Sequence, residues 1–267
     1  MRVPTPASTP DLYELTMAAG YWAEKRSERA VFELFTRRLP RDRGYLLAGG
    51  VEAVADYLEG FRFTPDEIAY LRALPAFEAT PAGFFDSLAD LRFTGDLWAM
   101  REGTPVFPNE PIFAVAAPIV EAQIVETALL ALVNYPTSVA TKASRLVEAA
   151  RGRSVVEFGA RRAHGTDAAL IAARAAWVGG CSGTSNVEAG MRFGLPVYGT
   201  IAHAWIMSFE DEVEAFRAYQ RVFPNNAVLL IDTYDTLRAA RRITEAFRPG
   251  EIAGVRLDSG DLLADSL

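Results

Sequence analysis

A change of rhythm near residue 150 limits how this chain can fold more than any other feature. From about residue 152, short strand-like runs ("SVVEF", "GGCSG", "LPVYGTIA", "AVLLIDT" and "IAGVRLD") are separated by helical patterns such as "FEDEVEAFRAYQRVF" and "DTLRAARRITEAF". Parallel strands need crossovers of helical length, so this alternation reads as a parallel α/β arrangement. Residues 1–150 instead mix helices and strands in no fixed order, as an α+β domain does, and end in a helical linker. The expected domains are therefore 1–150 and 151–267. In the first, "STPDLYELTMAAGYW" predicts a helix capped by Asp11 or Thr9. "VFELF" predicts a strand, and "TPDEIAYLRAL" a helix opened by a Thr64–Glu67 capping box. Residues 96–118 read as strands joined by turns. "IVEAQIVETALLALV" and "TSVATKASRLVEAAR" predict two helices separated at Pro136, because the residue before a proline disfavours the helical region.

Composition narrows the class. Half of the 267 residues are apolar and 23% are charged, the balance of an ordinary globular protein. The formal charge is −7 and the basic residues are scattered, which argues against nucleic acid or an anionic membrane as partner. A single cysteine, Cys181, leaves no internal disulfide and no cysteine-based metal site, and fits a reducing, cytoplasmic setting. The N-terminal segment has no apolar core of signal-peptide length, and the apolar stretch around "VETALLALV" is far short of a membrane span.

Each run in the second half ends in polar or glycine-rich sequence, at 157–162, 183–186, 199–203, 232–235 and 256–261. Ligands of parallel α/β folds bind at the carboxyl ends of strands, so these five ends are expected to share one rim. His203, one of two histidines, lies just past the third run. Such a residue is either a hydrogen-bonded loop histidine or a reactive imidazole. Gly183, Thr184 and Ser185, and Gly199 with Thr200, resemble phosphate-cradling loops. Arg161, Arg162 and Arg256 suit bidentate binding of carboxylate or phosphate, or salt bridges to nearby aspartates. Asp232, Asp258 and Asp261 offer hard oxygens for Mg²⁺ or ribose hydroxyls; the alternative for the "RLDSGD" acids is a turn and a helix cap.

Taken in order, "DLYELTM", "FTRRLPRDRGYLLAGG", "NYPTSVATKASR", "VVEFGARRAHG", "GTSN", "GTIAHAWIMSF", "LLIDTYDT" and "GVRLDSGD" closely resemble the nicotinate phosphoribosyltransferases, from about residue 9 to 263. The resemblance implies a type II phosphoribosyltransferase: a TIM-like α/β barrel, partial or irregular here, preceded by an N-terminal α+β domain. It also implies the joining of nicotinate to phosphoribosyl pyrophosphate in NAD salvage, ATP hydrolysis alongside as in a ligase, and Mg²⁺. His203 matches the histidine that is phosphorylated by ATP. Tyr13 matches an aromatic that stacks on the pyridine ring from the neighbouring subunit of a homodimer, and Phe158 the one on its other face; ordinary core packing is the alternative for both. Arg161, Thr200 and Arg256 match positions around the nicotinate carboxylate or a phosphate, and Asp232 and Asp258 acids near ribose and metal. Ser185 stands where nicotinamide-specific relatives carry an aspartate, which would repel nicotinate. Cys181 and His164 read as a small buried residue and a polar loop residue. The metal ligands are not identified by the resemblance.

Family members are longer, with further strands that close the barrel and carry phosphate loops, whereas this sequence ends six residues after Asp261. The expected barrel is therefore incomplete, unless another subunit or a continuation covers its open edge. A five-stranded doubly wound sheet is the alternative architecture. The alternative function is a non-catalytic homologue that binds a ligand or a full-length partner.

Overall fold

The computed structural model of the chain describes residues 5–266. Residues 1–4, the start of the segment expected to carry no leader, and residue 267 lie outside the described residues. Two compact units are present, one running through Val197 and one beginning at Tyr198. The expected boundary near 150 marks the change of rhythm, whereas the compact units part later. Among the described residues no helix is long and apolar enough to cross a membrane.

The first unit opens with α1 (Leu12–Ala23), as its apolar spacing predicts. Asp11 sits at its N-cap without bonding the first turn; its Oδ2 accepts instead from Thr127 Oγ1 at 3.2 Å. There follow β1 (Arg29–Phe35), β2 (Leu46–Leu47), α2 (Val51–Gly60), α3 (Pro65–Ala73) and α4 (Ala82–Asp90). The Thr64–Glu67 capping box forms as expected, with Glu67 N donating to Thr64 Oγ1 at 3.2 Å and Thr64 N to Glu67 Oε2 at 2.8 Å. Residues 96–118 become β3 (Asp96–Ala99), β4 (Pro105–Val106) and β5 (Pro111–Pro118). Strands β1, β5 and β3 form an antiparallel sheet with β5 in the middle. Ile112, Phe113 and Val115 of β5 join Phe84, Leu88 and Ile124 in the main core.

The expected division at Pro136 does not occur. After a short α5 (Ile119–Ile124), helix α6 (Glu126–Ala149) runs unbroken through Pro136, and the irregularity falls at Val125. An internal proline removes a helical donor and costs about 3 kcal/mol, so tertiary contacts must offset it. They come from the loop after β2. Gly50, at φ +84°, lies so close to the Leu132 carbonyl that a Cβ there would stand 2.1 Å from its oxygen. This is the carbonyl that Pro136, lacking an N–H, leaves without its helical donor. One turn on, Thr137 Oγ1 accepts from Gly49 N at 3.1 Å and Thr141 Oγ1 from Leu47 N at 2.9 Å. Two buried hydroxyls thus dock the "LLAGG" backbone on α6.

The first unit ends with β6 (Val156–Glu157), α7 (Thr166–Val178), β7 (Gly183–Thr184) and α8 (Val187–Phe193). β6 and β7 pair in parallel, as the alternation predicts. "LPVYGTIA", expected as a strand, makes only a single parallel bridge from Val197 to Thr184. Pro196 has no N–H for a ladder and Gly199 has no side chain to pack, which accounts for its brevity. Helix α7 packs on α6 with Ala175 beside Ala140, and its Arg174 pairs with Glu102 at 2.7 Å and with Glu52 of α2.

The second unit comprises α9 (His203–Met207), α10 (Glu212–Val222), β8 (Val228–Leu230), α11 (Thr236–Ala246), β9 (Gly254–Arg256) and α12 (Leu262–Asp265). β8 and β9 are parallel, with Leu230 opposite Arg256. Asp211 caps α10 through Val213 N at 2.9 Å and Glu214 N at 3.1 Å. It also meets Arg242 of α11, whose Nη1 reaches the buried Glu212 at 3.2 Å. Phe216, Leu229, Leu230 and Ile206 form the unit's own core.

Replacing Thr137 by the isosteric valine leaves the Gly49 amide without its buried acceptor. We expect Thr137→Val to lower stability by about 1–3 kcal/mol in urea unfolding. An unshifted midpoint would show that the hydroxyl does not hold the β2 loop.

Candidate active site

Thr200, His203, Asp232, Arg256, Asp258 and Asp261 lie in the second unit. Asp232 and Asp258 each stand two residues beyond the end of their strand, β8 and β9 respectively. Asp232 Oδ2 accepts from Asp258 N at 2.6 Å, Ser259 N at 2.6 Å and Ser259 Oγ at 2.8 Å. Burial alone would raise the Asp232 pKa, but these donors outweigh it and hold the group below the usual carboxylate range. Its Oδ1 is buried with no hydrogen-bond partner. Asp258, fixed by its own amide, bonds the Arg256 guanidinium, whose Nη1 donates to Thr200 Oγ1 at 2.7 Å.

His203 begins the short helix α9. Its Nδ1 lies 3.1 Å from Thr233 Oγ1, and its Nε2 lies 3.7 Å from Asp258 Oδ2. The first distance is a hydrogen bond and the second is too long for one. In the tautomer that donates from Nδ1 to Thr233, the Nε2 lone pair faces outward from the ring, the arrangement a nucleophilic imidazole needs. Thr233 was not anticipated; its signal was a hydroxyl directly after the strand-end aspartate in "LLIDT". Asp261 takes the cap role, accepting from Leu263 N and Ala264 N at 3.1 Å each. Among the described residues no group of three His, Cys, Asp or Glu side chains is placed to hold a metal ion.

The remaining candidates lie in the first unit. Tyr13 and Phe158 are 49% and 39% exposed, so core packing does not explain either aromatic. Tyr13 borders a largely apolar groove of about 480 Å³ with Phe35 and Leu130. Lost hydration, with the Glu126 and Glu14 carboxylates, pushes its phenol up to about 12, so the ring stays neutral near pH 7. Beside it, Glu14 is fully buried and accepts from Thr127 N at 3.0 Å and Thr127 Oγ1 at 2.7 Å. Glu14 thereby supplies, from α1, an acceptor at the N-terminus of α6 that the N-cap residue Val125 lacks. Arg161 and Arg162 lie exposed in a short 3-10 turn at 160–162, and His164 is an exposed loop residue as expected. Cys181 is buried, and burial raises its thiol pKa.

The "GTSN" loop differs from a phosphate cradle in one respect. The Thr184 hydroxyl is engaged internally, donating to Glu157 Oε2 at 2.7 Å and accepting from Asn186 N at 3.0 Å. Ser185 N donates to the Glu157 carbonyl at 2.9 Å, and Asn186 caps α8 through Ala189 N at 3.0 Å. Glu157 was read only as part of a polar strand end, without a role.

Parallel strands after an N-terminal α+β region are compatible with the type II phosphoribosyltransferase fold, which similarity to solved structures and to family sequences shows. The model for the nicotinate phosphoribosyltransferase N-terminal domain matches residues 9–134, and that for the nicotinate phosphoribosyltransferase family matches residues 153–265. A nicotinate phosphoribosyltransferase of Mycobacterium tuberculosis is 51% identical over 256 residues, covering 94% of this chain and 54% of the relative. The Bacillus subtilis enzyme is 48% identical over 258 residues, covering 94% and 52%. The crystal structure of human nicotinic acid phosphoribosyltransferase superposes with a TM-score of 0.82 at 34% identity, covering 95% of this chain and 61% of that one. The chain belongs to the nicotinate phosphoribosyltransferase family. It spans about half the length of the curated relatives it matches.

Two carboxylates give opposite pH signatures. Asp232 has a lowered folded pKa, so its stabilisation is complete above the unfolded value of about 3.9 and is lost as pH falls through the folded one. The stability advantage of wild type over Asp232→Asn should therefore shrink on acidification in thermal melts; a constant gap would contradict the anchoring role. Burial raises the Glu14 pKa against the bonds from Thr127. Its stabilisation is complete below about pH 4.3 and is lost as pH rises through the folded value. Glu14→Gln should match wild type near pH 4 and melt higher at pH 8, and an equal or lower melting point at pH 8 would exclude an ionisation penalty.

Proposed function

We propose that this chain acts in NAD salvage by joining nicotinate to phosphoribosyl pyrophosphate, giving nicotinate mononucleotide and pyrophosphate, with ATP hydrolysed through phosphorylation of His203. The observation that carries this reading is the His203 setting: one ring nitrogen is bonded to Thr233 while the other stands beside Asp258, which Arg256 and Asp232 hold in place. In the phosphoryl step Nε2 attacks the γ-phosphorus of ATP, the bond to the bridging oxygen breaks, and ADP departs; water later attacks the phosphorus, the N–P bond breaks, and phosphate leaves with the imidazole restored. Asp258 stabilises the positive charge that develops on the ring, and Thr233 fixes its rotation. Arg256, joined to Thr200, offsets the Asp258 charge towards an incoming phosphate.

Magnesium fits this donor set only as an ion that is carried largely by phosphate oxygens, because Asp232 Oδ2 already accepts three hydrogen bonds. Asp258 and the unpartnered Asp232 Oδ1 would hold it, and when bound it neutralises charge on the pyrophosphate. Tyr13 and Phe158 provide exposed aromatic faces for the pyridine ring, Tyr13 from the second subunit of a homodimer. Arg161 pairs with the nicotinate carboxylate, and Ser185 selects the acid by presenting no negative charge to it.

Purified chain incubated with nicotinate, phosphoribosyl pyrophosphate, Mg²⁺ and ATP should yield nicotinate mononucleotide. Absence of product from folded protein would instead identify a non-catalytic homologue. His203→Ala should lower ATP hydrolysis at least about 10³-fold with an unchanged circular dichroism spectrum. Undiminished hydrolysis would remove the imidazole from the reaction.

A further inference from the structure

Glu157 is the junction between two loops in the first unit. It closes β6, and its two carboxylate oxygens and its carbonyl are engaged by Gly159, which follows Phe158, by Thr184, which precedes Ser185, and by Ser185 itself. Oε1 accepts from Gly159 N, Oε2 accepts from Thr184 Oγ1 at 2.7 Å, and the main-chain oxygen accepts from Ser185 N at 2.9 Å. Thr184 is fully buried and forwards the connection to Asn186 N. The bonds to Glu157 therefore fix the backbone immediately after Phe158 and immediately before Ser185.

We infer that Glu157 is a positioning residue that sets the poses of Phe158 and Ser185 together, and with them the fit and acid-over-amide preference of the pyridine subsite. This rests on the nicotinate reading above. Steric evidence supports it independently of charge. A Cβ on Gly159 would stand 2.8 Å from Glu157 Oε1, although the Gly159 backbone is at an ordinary φ of −87°. A side chain at this position would push the carboxylate out of its present place. Since Oε2 is tied to a buried hydroxyl, the carboxylate cannot move aside without releasing Thr184.

A glutamine accepts through one oxygen only, so in Glu157→Gln either the Gly159 amide or the Thr184 hydroxyl loses its charged acceptor and faces a neutral NH2 instead. Gly159→Ala displaces the same carboxylate with no change of charge, and Thr184→Val removes the hydroxyl, whereas Thr184→Ser retains it. In the full chain, two readouts separate the inference from the reading beneath it. Amide hydrogen exchange at Gly159 and Ser185 should accelerate about tenfold or more in Glu157→Gln, Gly159→Ala and Thr184→Val, and remain as in wild type in Thr184→Ser. Calorimetric titration should show nicotinate binding weakened about tenfold in the first three variants, with nicotinamide binding weakened less, so that the preference for the acid narrows. Unchanged exchange in both Glu157→Gln and Gly159→Ala would overturn the bridge. Faster exchange with unaltered nicotinate affinity and preference would overturn the positioning role. A wild-type chain that binds no nicotinate would overturn the substrate reading, and the assignment of this subsite with it, while the exchange result would still report on the bridge.

Discussion

Each parallel strand pair is held together beyond its ladder by one carboxylate. At the end of β6, Glu157 binds the residues that close β7; past β8, Asp232 takes the amides and hydroxyl of the turn that follows β9. The ladders are only two and three residues long, so they contribute few hydrogen bonds of their own. Without the Glu157 carboxylate the buried Thr184 hydroxyl would lack its acceptor, at a cost of about 1–3 kcal/mol. An ionised carboxylate accepts several such donors at once and more strongly than a neutral group.

This economy explains how chemically distinct residues reach fixed poses. In the second unit the order of dependence runs from Asp232 to the Asp258 backbone, from Asp258 to Arg256, and from Arg256 to Thr200, with His203 beside Asp258 and bonded to Thr233. The imidazole is positioned by a neutral hydroxyl on one side, with a charge at longer range on the other. Membership of the nicotinate phosphoribosyltransferase family gives this arrangement its chemical context. Within the first unit, the α6 backbone is stabilised at its N-terminus by the buried Glu14.

Much of the fold was legible because local rules agreed with the final packing. The apolar face of α1, the Thr64–Glu67 box and the β-strand alternation of "VFELF" all appear where periodicity puts them. Pro136 was misleading because a local preference of a few kcal/mol is outweighed by contacts with residues some 86 positions earlier, notably Gly50, which no local pattern reveals. "LPVYGTIA" looked like a full strand by apolar content, yet Pro196 and Gly199 reduce it to one bridge. In the candidate site, charged residues at strand ends were easy to nominate, but their division of labour was not. Asp261 proved to be a cap, Asp232 an anchor, and Thr184 an internal link, since hydrogen-bond direction depends on neighbours from the next strand. Glu157 and Thr233 went unnoticed because neither belongs to a recognisable chemical motif alone.

The brevity of the parallel ladders has an evolutionary corollary. When loop geometry is dictated by a side chain and not by an extended backbone lattice, one codon change can retune the pose of a neighbouring recognition residue while the surrounding architecture stays intact. Positions such as Glu157 and its glycine neighbour are therefore where loop geometry can drift first, ahead of the strands themselves.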